Sequence, residues 1–158
     1  MAISIVSDLV LDVVKAADPE RVRIAQAGLQ RGRPATNPAT EFADACYANN
    51  YNWLEEPLDS RNYDGNAALK KISKVKISGA ELNYGWDEIK IMFEKDCFHI
   101  YQPDATFAGG IAQVKKVIDA CHTHNREYSP HTWTNGIGFY INWNMVLADK
   151  GNKLPLEY

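Results

Sequence analysis

The sequence predicts an α/β fold in which about five parallel strands alternate with helices, behind an N-terminal helical leader. From about residue 39 onward, short apolar segments alternate with amphipathic segments of 10 to 16 residues, and short loops join them. This alternation is typical of repeated βαβ units around a parallel sheet. Strands connected in this way form either an open doubly wound sheet or a barrel, and the periodicity leaves both open.

The predicted elements follow one another in a regular order. The predicted strands are residues 51–56, 75–81, 97–103 and 127–131, with 155–158 as a candidate for the last. The predicted helices are residues 39–50, 62–74, 85–96, 109–125 and 136–151. The fourth of these helices has the clearest apolar stripe at helical spacing, formed by Ile111, Val114, Val117, Ile118 and Cys121. In the last helix, Trp143 and Met145 are expected in the core.

Residues 1–38 differ from the rest and predict a separate leader and linker. The segment from Val6 to Ala25 predicts one helix, or a helix that breaks at Pro19 before a short strand. The following "QRGRPATNP" is rich in Gly, Pro and Arg, which predicts a loop or linker. The chain is therefore expected to divide into a leader over 1–38 and an α/β portion over 39–158.

The amino-acid composition limits which kinds of binding partner and which cellular compartment are expected for this chain. The chain has 158 residues, 46% of them hydrophobic, which is enough for one domain with a core. A net charge of -3 argues against a broad nucleic-acid surface, and no apolar run approaches the ~20 residues that span a membrane. The N-terminus carries Asp8 and Asp12 and has no basic segment, unlike a signal peptide. Three scattered cysteines fit reduced thiols and a cytoplasmic protein.

An ionisable side chain stands at or just after the end of each predicted strand. These residues are Glu55, Glu81, Asp104, His131 and Glu157. Sites form at the carboxyl ends of the strands in parallel sheets and barrels. A single acid there also serves as a helix cap, but five in register are harder to explain by capping.

The residue types at these strand ends suit one kind of chemistry. Carboxylates from neighbouring strands make a hard-oxygen site for Mg²⁺. An aspartate near a histidine orients the imidazole as a general base. A cation and a base together are what removal of a proton α to a carboxylate requires. Purely structural roles for these residues remain open. His131 beside Pro130 can be a structural histidine, and Trp133 and Asn135 either contact substrate or only shape a loop.

Five strand-end motifs, in order, resemble those of the enolase superfamily. They are "WLEEP" (53–57), "SGAEL" (78–82), "QPDATFAGGI" (102–111), "SPHTWTNGIG" (129–138) and "PLEY" (155–158). The resemblance covers about residues 39–158 and is closest to the mandelate racemase/muconate lactonizing-like branch. It implies the C-terminal portion of a (β/α) TIM-type barrel and a cytoplasmic, Mg²⁺-dependent lyase or isomerase. The implied substrate is a small hydroxy-carboxylate or acid sugar, which is dehydrated or racemised.

The resemblance also implies a role for each strand-end residue. Glu55 and Glu81 are similar to Mg²⁺ ligands. Asp104 and His131 are similar to a catalytic dyad in which Asp104 holds the imidazole. Glu157 is similar to the acid that hydrogen-bonds the substrate carboxylate.

Several parts of the family pattern are not found in the sequence. The lid domain and the Lys-x-Lys strand are not recognised, and residues 21–40 hold no Asp for a third metal ligand. A whole barrel takes about 250 residues, so strand 51–56 is expected as an unpaired edge and self-association is favoured. The alternatives are a catalytically inactive barrel fragment, or an assembly module that acts through the N-terminal helix. Residues 1–20 resemble flagellar rod-assembly proteins, which motivates the second alternative.

Overall fold

The computed structural model describes residues 2–4, 36–133, 136–152 and 154–156, in which strands and helices alternate. The strands are β1 (Ala2–Ser4), β2 (Trp53–Glu55), β3 (Lys76–Gly79), β4 (Ile100–Tyr101) and β5 (Glu127–Tyr128). The helices are α1 (Thr36–Ala48), α2 (Tyr63–Ile72), α3 (Gly85–Glu94), α4 (Ile111–Thr123) and α5 (Ile137–Ala148). The chain divides into two compact units, residues 1–77 and 78–158, and the division falls inside β3.

In the first unit, β2 is fully buried and has a strand beside it. β1 pairs with β2 in parallel, with Ser4 opposite Glu55, so the expectation that this strand is an unpaired edge was wrong. The pairing supplies backbone partners that the sequence analysis had not assigned, because it placed a helical leader there. Helix α1 packs against α2 and β2. The carboxamide of Asn62 caps α2 by accepting the Gly65 N–H at 3.1 Å.

In the second unit, β3, β4 and β5 are parallel and lie side by side in chain order. Helix α3 packs against α4, and α4 against α5. Apolar side chains of these helices and strands form the core, among them Ile89, Met92, Ile100, Val114, Val117 and Tyr128. This arrangement confirms the predicted alternation of parallel strands and helices.

The strands are shorter than the sequence predicts, but their pairing continues past their ends. The strand predicted over 97–103 is reduced to Ile100–Tyr101. Beyond it, the Gln102 N–H still donates to the Gly79 carbonyl at 2.8 Å, and the Ser129 N–H to the Tyr101 carbonyl at 3.1 Å. Isolated bonds of this kind hold the chain in register without making a regular ladder.

Some further expectations need correction, and others concern residues outside the described part. Ile111 is 56% exposed because it begins its helix, and Trp143 is 42% exposed, whereas Met145 is buried as predicted. Residues 154–156 form no strand. Most of the leader, Asn135 and Glu157 lie outside the described residues, and the domain boundary at residue 38 stays a prediction. None of the helices in the described ranges has the length and apolar content that crossing a bilayer requires.

Candidate active site

Glu81 is brought into the interior of the second unit by a strained turn after β3. Gly79 ends the strand, and a Cβ there would lie 2.7 Å from atoms of the buried Phe98 ring, so only glycine fits. Ala80 follows with φ +85°, a left-handed conformation that costs a non-glycine residue about 1–3 kcal/mol. The turn leaves the Glu81 side chain 1% exposed. A conformation of this kind persists only where the surrounding structure holds it in place.

The imidazole of His131 lies beside this buried carboxylate. His131 Nε2 is 3.5 Å from Glu81 Oε2, and the His131 side chain is 14% exposed. Its ring centroid is 5.2 Å from that of Trp133, whose side chain is 49% exposed. The imidazole therefore has a buried acid as one neighbour and a solvent-facing indole as another. A group placed in this way can exchange a proton with a molecule that enters from solvent.

Asp104 lies just after β4 and is fully buried. Its Oδ1 accepts hydrogen bonds from the Thr106 N–H at 2.8 Å and the Thr106 hydroxyl at 2.7 Å. Oδ1 also accepts from Asn142 Nδ2 at 3.0 Å, and Oδ2 accepts from the Trp133 N–H at 3.1 Å. Burial by itself raises the pKa of this carboxyl, but the hydrogen bonds from Asn142, Thr106 and Trp133 outweigh it and lower the pKa below its usual value. Asp104 is held as a carboxylate.

The side chain of Asn142 connects Asp104 to the segment that carries His131. Asn142 comes from α5, and its Nδ2 lies 3.2 Å from the His131 carbonyl oxygen and 3.1 Å from the Thr132 hydroxyl. The sequence analysis missed this residue. Its signal is weak, because α5 contains two asparagines in an otherwise apolar sequence and only the structure shows which one is buried.

The structure brings part of the predicted set together. Glu81, Asp104 and His131 lie in the second unit, where His131 contacts Glu81 directly. Glu55 ends β2 in the first unit and is 1% exposed. The predicted Asp104–His131 dyad stays a prediction; the connection that the structure draws runs from Asp104 through Asn142 to the backbone carbonyl of His131. The catalytic and metal-binding roles of all these residues also remain predictions.

Residues 9–158 match the family model described as enolase C-terminal domain-like. The chain belongs to the enolase C-terminal domain-like family. It is similar to L-talarate/galactarate dehydratase from Salmonella typhimurium, with 32% identity over 50% of this chain and 20% of that protein. It is also similar to D-galactarolactone cycloisomerase from Agrobacterium fabrum, with 23% identity over 63% of this chain and 26% of the relative. The chain thus spans about a fifth to a quarter of these curated relatives.

Solved structures show the same fold. The 3,6-anhydro-D-galactonate cycloisomerase from Zobellia galactanivorans matches with a TM-score of 0.71 and 33% identity, over 78% of this chain and 34% of that one. L-talarate dehydratase from Polaromonas sp. JS666, solved with Mg and L-glucarate, matches with a TM-score of 0.67 and 22% identity, over 76% of this chain and 32% of that one. The fold is therefore a portion of a (β/α) barrel, as the resemblance implies.

Proposed function

We propose that this chain carries the acid–base part of an enolase-type site, which removes the proton α to the carboxylate of an acid sugar and leads to dehydration or racemisation. One observation carries the proposal: His131 Nε2 lies 3.5 Å from the buried Glu81 carboxylate, on an imidazole that is itself partly exposed. The names of the relatives support the substrate class, since they include dehydratases and a cycloisomerase of acid sugars.

His131 is the proposed proton carrier. In its neutral form the imidazole takes the α-proton, and as imidazolium it gives a proton to the departing hydroxyl, which leaves as water in dehydration. For racemisation, a group other than His131 delivers the proton to the opposite face of the carbanion. The neighbouring Glu81 carboxylate lies 3.5 Å from His131 Nε2, on the buried side of the ring. Asp104 fixes the segment on which the imidazole stands, through Asn142 and the Trp133 N–H. Trp133 is the proposed substrate contact.

Glu55 and Glu81 are the proposed Mg²⁺ ligands. Both carboxylates end or follow successive strands and are 1% exposed. Buried carboxylate oxygens are the hard donors that Mg²⁺ prefers, so the donor chemistry fits. When bound, the cation would stabilise the negative charge that develops on the substrate carboxylate. Glu157 joins the proposal by resemblance, as the acid facing the substrate carboxylate. Asn135 joins it by its place after the strand that leads to His131, as a substrate contact.

The test is deuterium incorporation at the α-carbon of aldonates and aldarates in D₂O with MgCl₂, followed by mass spectrometry. We expect exchange in the wild type and a loss of about 10²–10⁴-fold in His131→Asn, the usual contribution of a general acid–base group. His124→Asn is the matched control, because His124 is exposed at the end of α4. If the wild type exchanges no member of the panel at high protein concentration, the proposal is wrong and the chain is an inactive barrel portion.

A further inference from the structure

We infer that Asn142 is a positioning residue that ties the carboxylate of Asp104 to the backbone carrying His131. Its side chain is completely buried within the second unit. Its place in a reaction rests on the proposed function, whereas its structural role in holding this segment does not.

The carboxamide of Asn142 contacts two segments that are far apart in sequence. Its Oδ1 accepts the Ala105 N–H at 3.0 Å, and its Nδ2 donates to Asp104 Oδ1 at 3.0 Å. The same Nδ2 is 3.1 Å from the Thr132 hydroxyl and 3.2 Å from the His131 carbonyl. One planar group thereby joins the chain after β4 to the chain after β5.

The chemistry of these partners fixes the orientation of the carboxamide. Ala105 offers an N–H, so the amide oxygen must face it, while Asp104 and the His131 carbonyl offer only acceptors. A flipped amide would set its oxygen against a carboxylate and a carbonyl. Only a group with an acceptor on one side and donors on the other satisfies the site. An aspartate at position 142 would place its carboxylate against that of Asp104 at close range.

A second hydrogen bond connects Asp104 to the loop after β5, so a variant that lacks the Asn142 side chain is expected to stay folded. The Trp133 N–H donates to Asp104 Oδ2 at 3.1 Å without the help of Asn142. Removing the Asn142 side chain therefore leaves the loop after β5 attached but takes one hydrogen-bond donor away from the His131 carbonyl. We expect the imidazole to shift while the fold survives, and displacements near 1 Å can cost about 10²-fold in rate.

The first experiment uses the full chain and needs no activity. We first check by circular dichroism that Asn142→Ala is folded. In the folded variant we expect changed NMR chemical shifts for the ¹H–¹³C resonance of the His131 ring and for the backbone amides of Thr132 and Trp133. Asn144→Ala is the matched control, because Asn144 is exposed on the same helix and, among the residues that the structure describes, its side chain bonds the Tyr140 carbonyl within that helix. Unchanged His131 and Trp133 resonances in folded Asn142→Ala would overturn the inference.

A wild-type measurement decides the case in which Asn142→Ala does not fold. The carboxamide protons of Asn142 should exchange with solvent far more slowly than those of Asn144, because the first group is buried and bonded and the second is exposed. Equal exchange of the two carboxamides would contradict the proposed contacts.

The deuterium-exchange assay then separates positioning from plain structure. We expect Asn142→Ala to lower kcat by about 10- to 100-fold with KM nearly unchanged, and Asn144→Ala to change neither. A wild-type kcat in Asn142→Ala would overturn the role in catalysis even if the resonances move. If the wild type itself is inactive, the proposed function fails, and the resonances and the amide exchange alone decide whether Asn142 holds this segment.

Discussion

At the scale of single residues, the Asp104 side chain makes both local and long-range hydrogen bonds. Its bonds to the Thr106 N–H and hydroxyl are local turn bonds, of the kind that an aspartate side chain makes with the residue two positions on. Its bonds to Trp133 and Asn142 reach residues 29 and 38 positions away, in the part of the chain that holds His131. One buried carboxylate therefore holds both its own turn and the part of the chain next to His131.

The pKa of Asp104 predicts how stability depends on pH. Because the folded pKa lies below the ordinary 3.8, the stabilisation from this group is present above the unfolded pKa and is lost as the pH falls through the folded pKa. Asp104→Asn should therefore flatten the acid limb of unfolding free energy against pH, measured by urea unfolding. It should also cost about 1–3 kcal/mol at pH 7, since an amide turns an N–H toward a donor.

Asp119→Asn is the control for that measurement. Asp119 is 60% exposed and forms a surface ion pair with Lys115 on its own helix, so Asp119→Asn should change stability by about a few tenths of a kcal/mol. An Asp104→Asn variant that keeps the full acid limb would contradict the hydrogen-bonded carboxylate described above.

At the scale of elements, α5 is the helix whose buried face the sequence does not predict. The helix carries no charged residue from Ile137 to Ala148 and is apolar all round, so its periodicity does not reveal which face is inward. Trp143 was therefore assigned to the core, but it stacks on Phe139 with 42% of its surface exposed. The buried face instead includes Asn142 and Met145.

The exposed face of α5 is the surface through which we expect the chain to self-associate. Ile137, Tyr140 and Leu147 are 79%, 64% and 63% exposed, and large exposed apolar patches mark association surfaces. Two copies can pack these uncharged helices together without repulsion. We expect the wild type to sediment as a concentration-dependent oligomer and Leu147→Lys to shift it toward monomer by at least tenfold in Kd.

Ile72→Lys is the matched control for Leu147→Lys. Ile72 is 57% exposed on α2, so it receives the same substitution at a similar exposure on a different helix. If both variants dissociate equally, or if the wild type is a monomer at all concentrations, α5 is not the surface of association.

At the scale of the whole chain, the sequence predicted the order of elements better than their extent. Alternating apolar and amphipathic segments locate β2 to β5 and the helices between them, because burial enforces those periods. β1 was missed, since three residues show no period. Strand ends identify Glu81, Asp104 and His131. Asn142 joins Asp104 to the His131 backbone through tertiary contacts that no local sequence pattern records.

A magnesium titration of thermal stability tests the proposed ligands on the intact chain. A cation that binds only the folded state adds RT ln(1 + [L]/Kd), about 2.7 kcal/mol at 100 times Kd. We expect several mM MgCl₂ to raise the Tm of the wild type, and the rise to disappear in Glu55→Gln and in Glu81→Gln, because each variant removes one buried carboxylate. Glu94→Gln, at a surface ion pair with Lys90, should keep the full rise. If Mg²⁺ does not raise the Tm of the wild type, or if it raises the Tm of the glutamine variants equally, these carboxylates do not bind the cation.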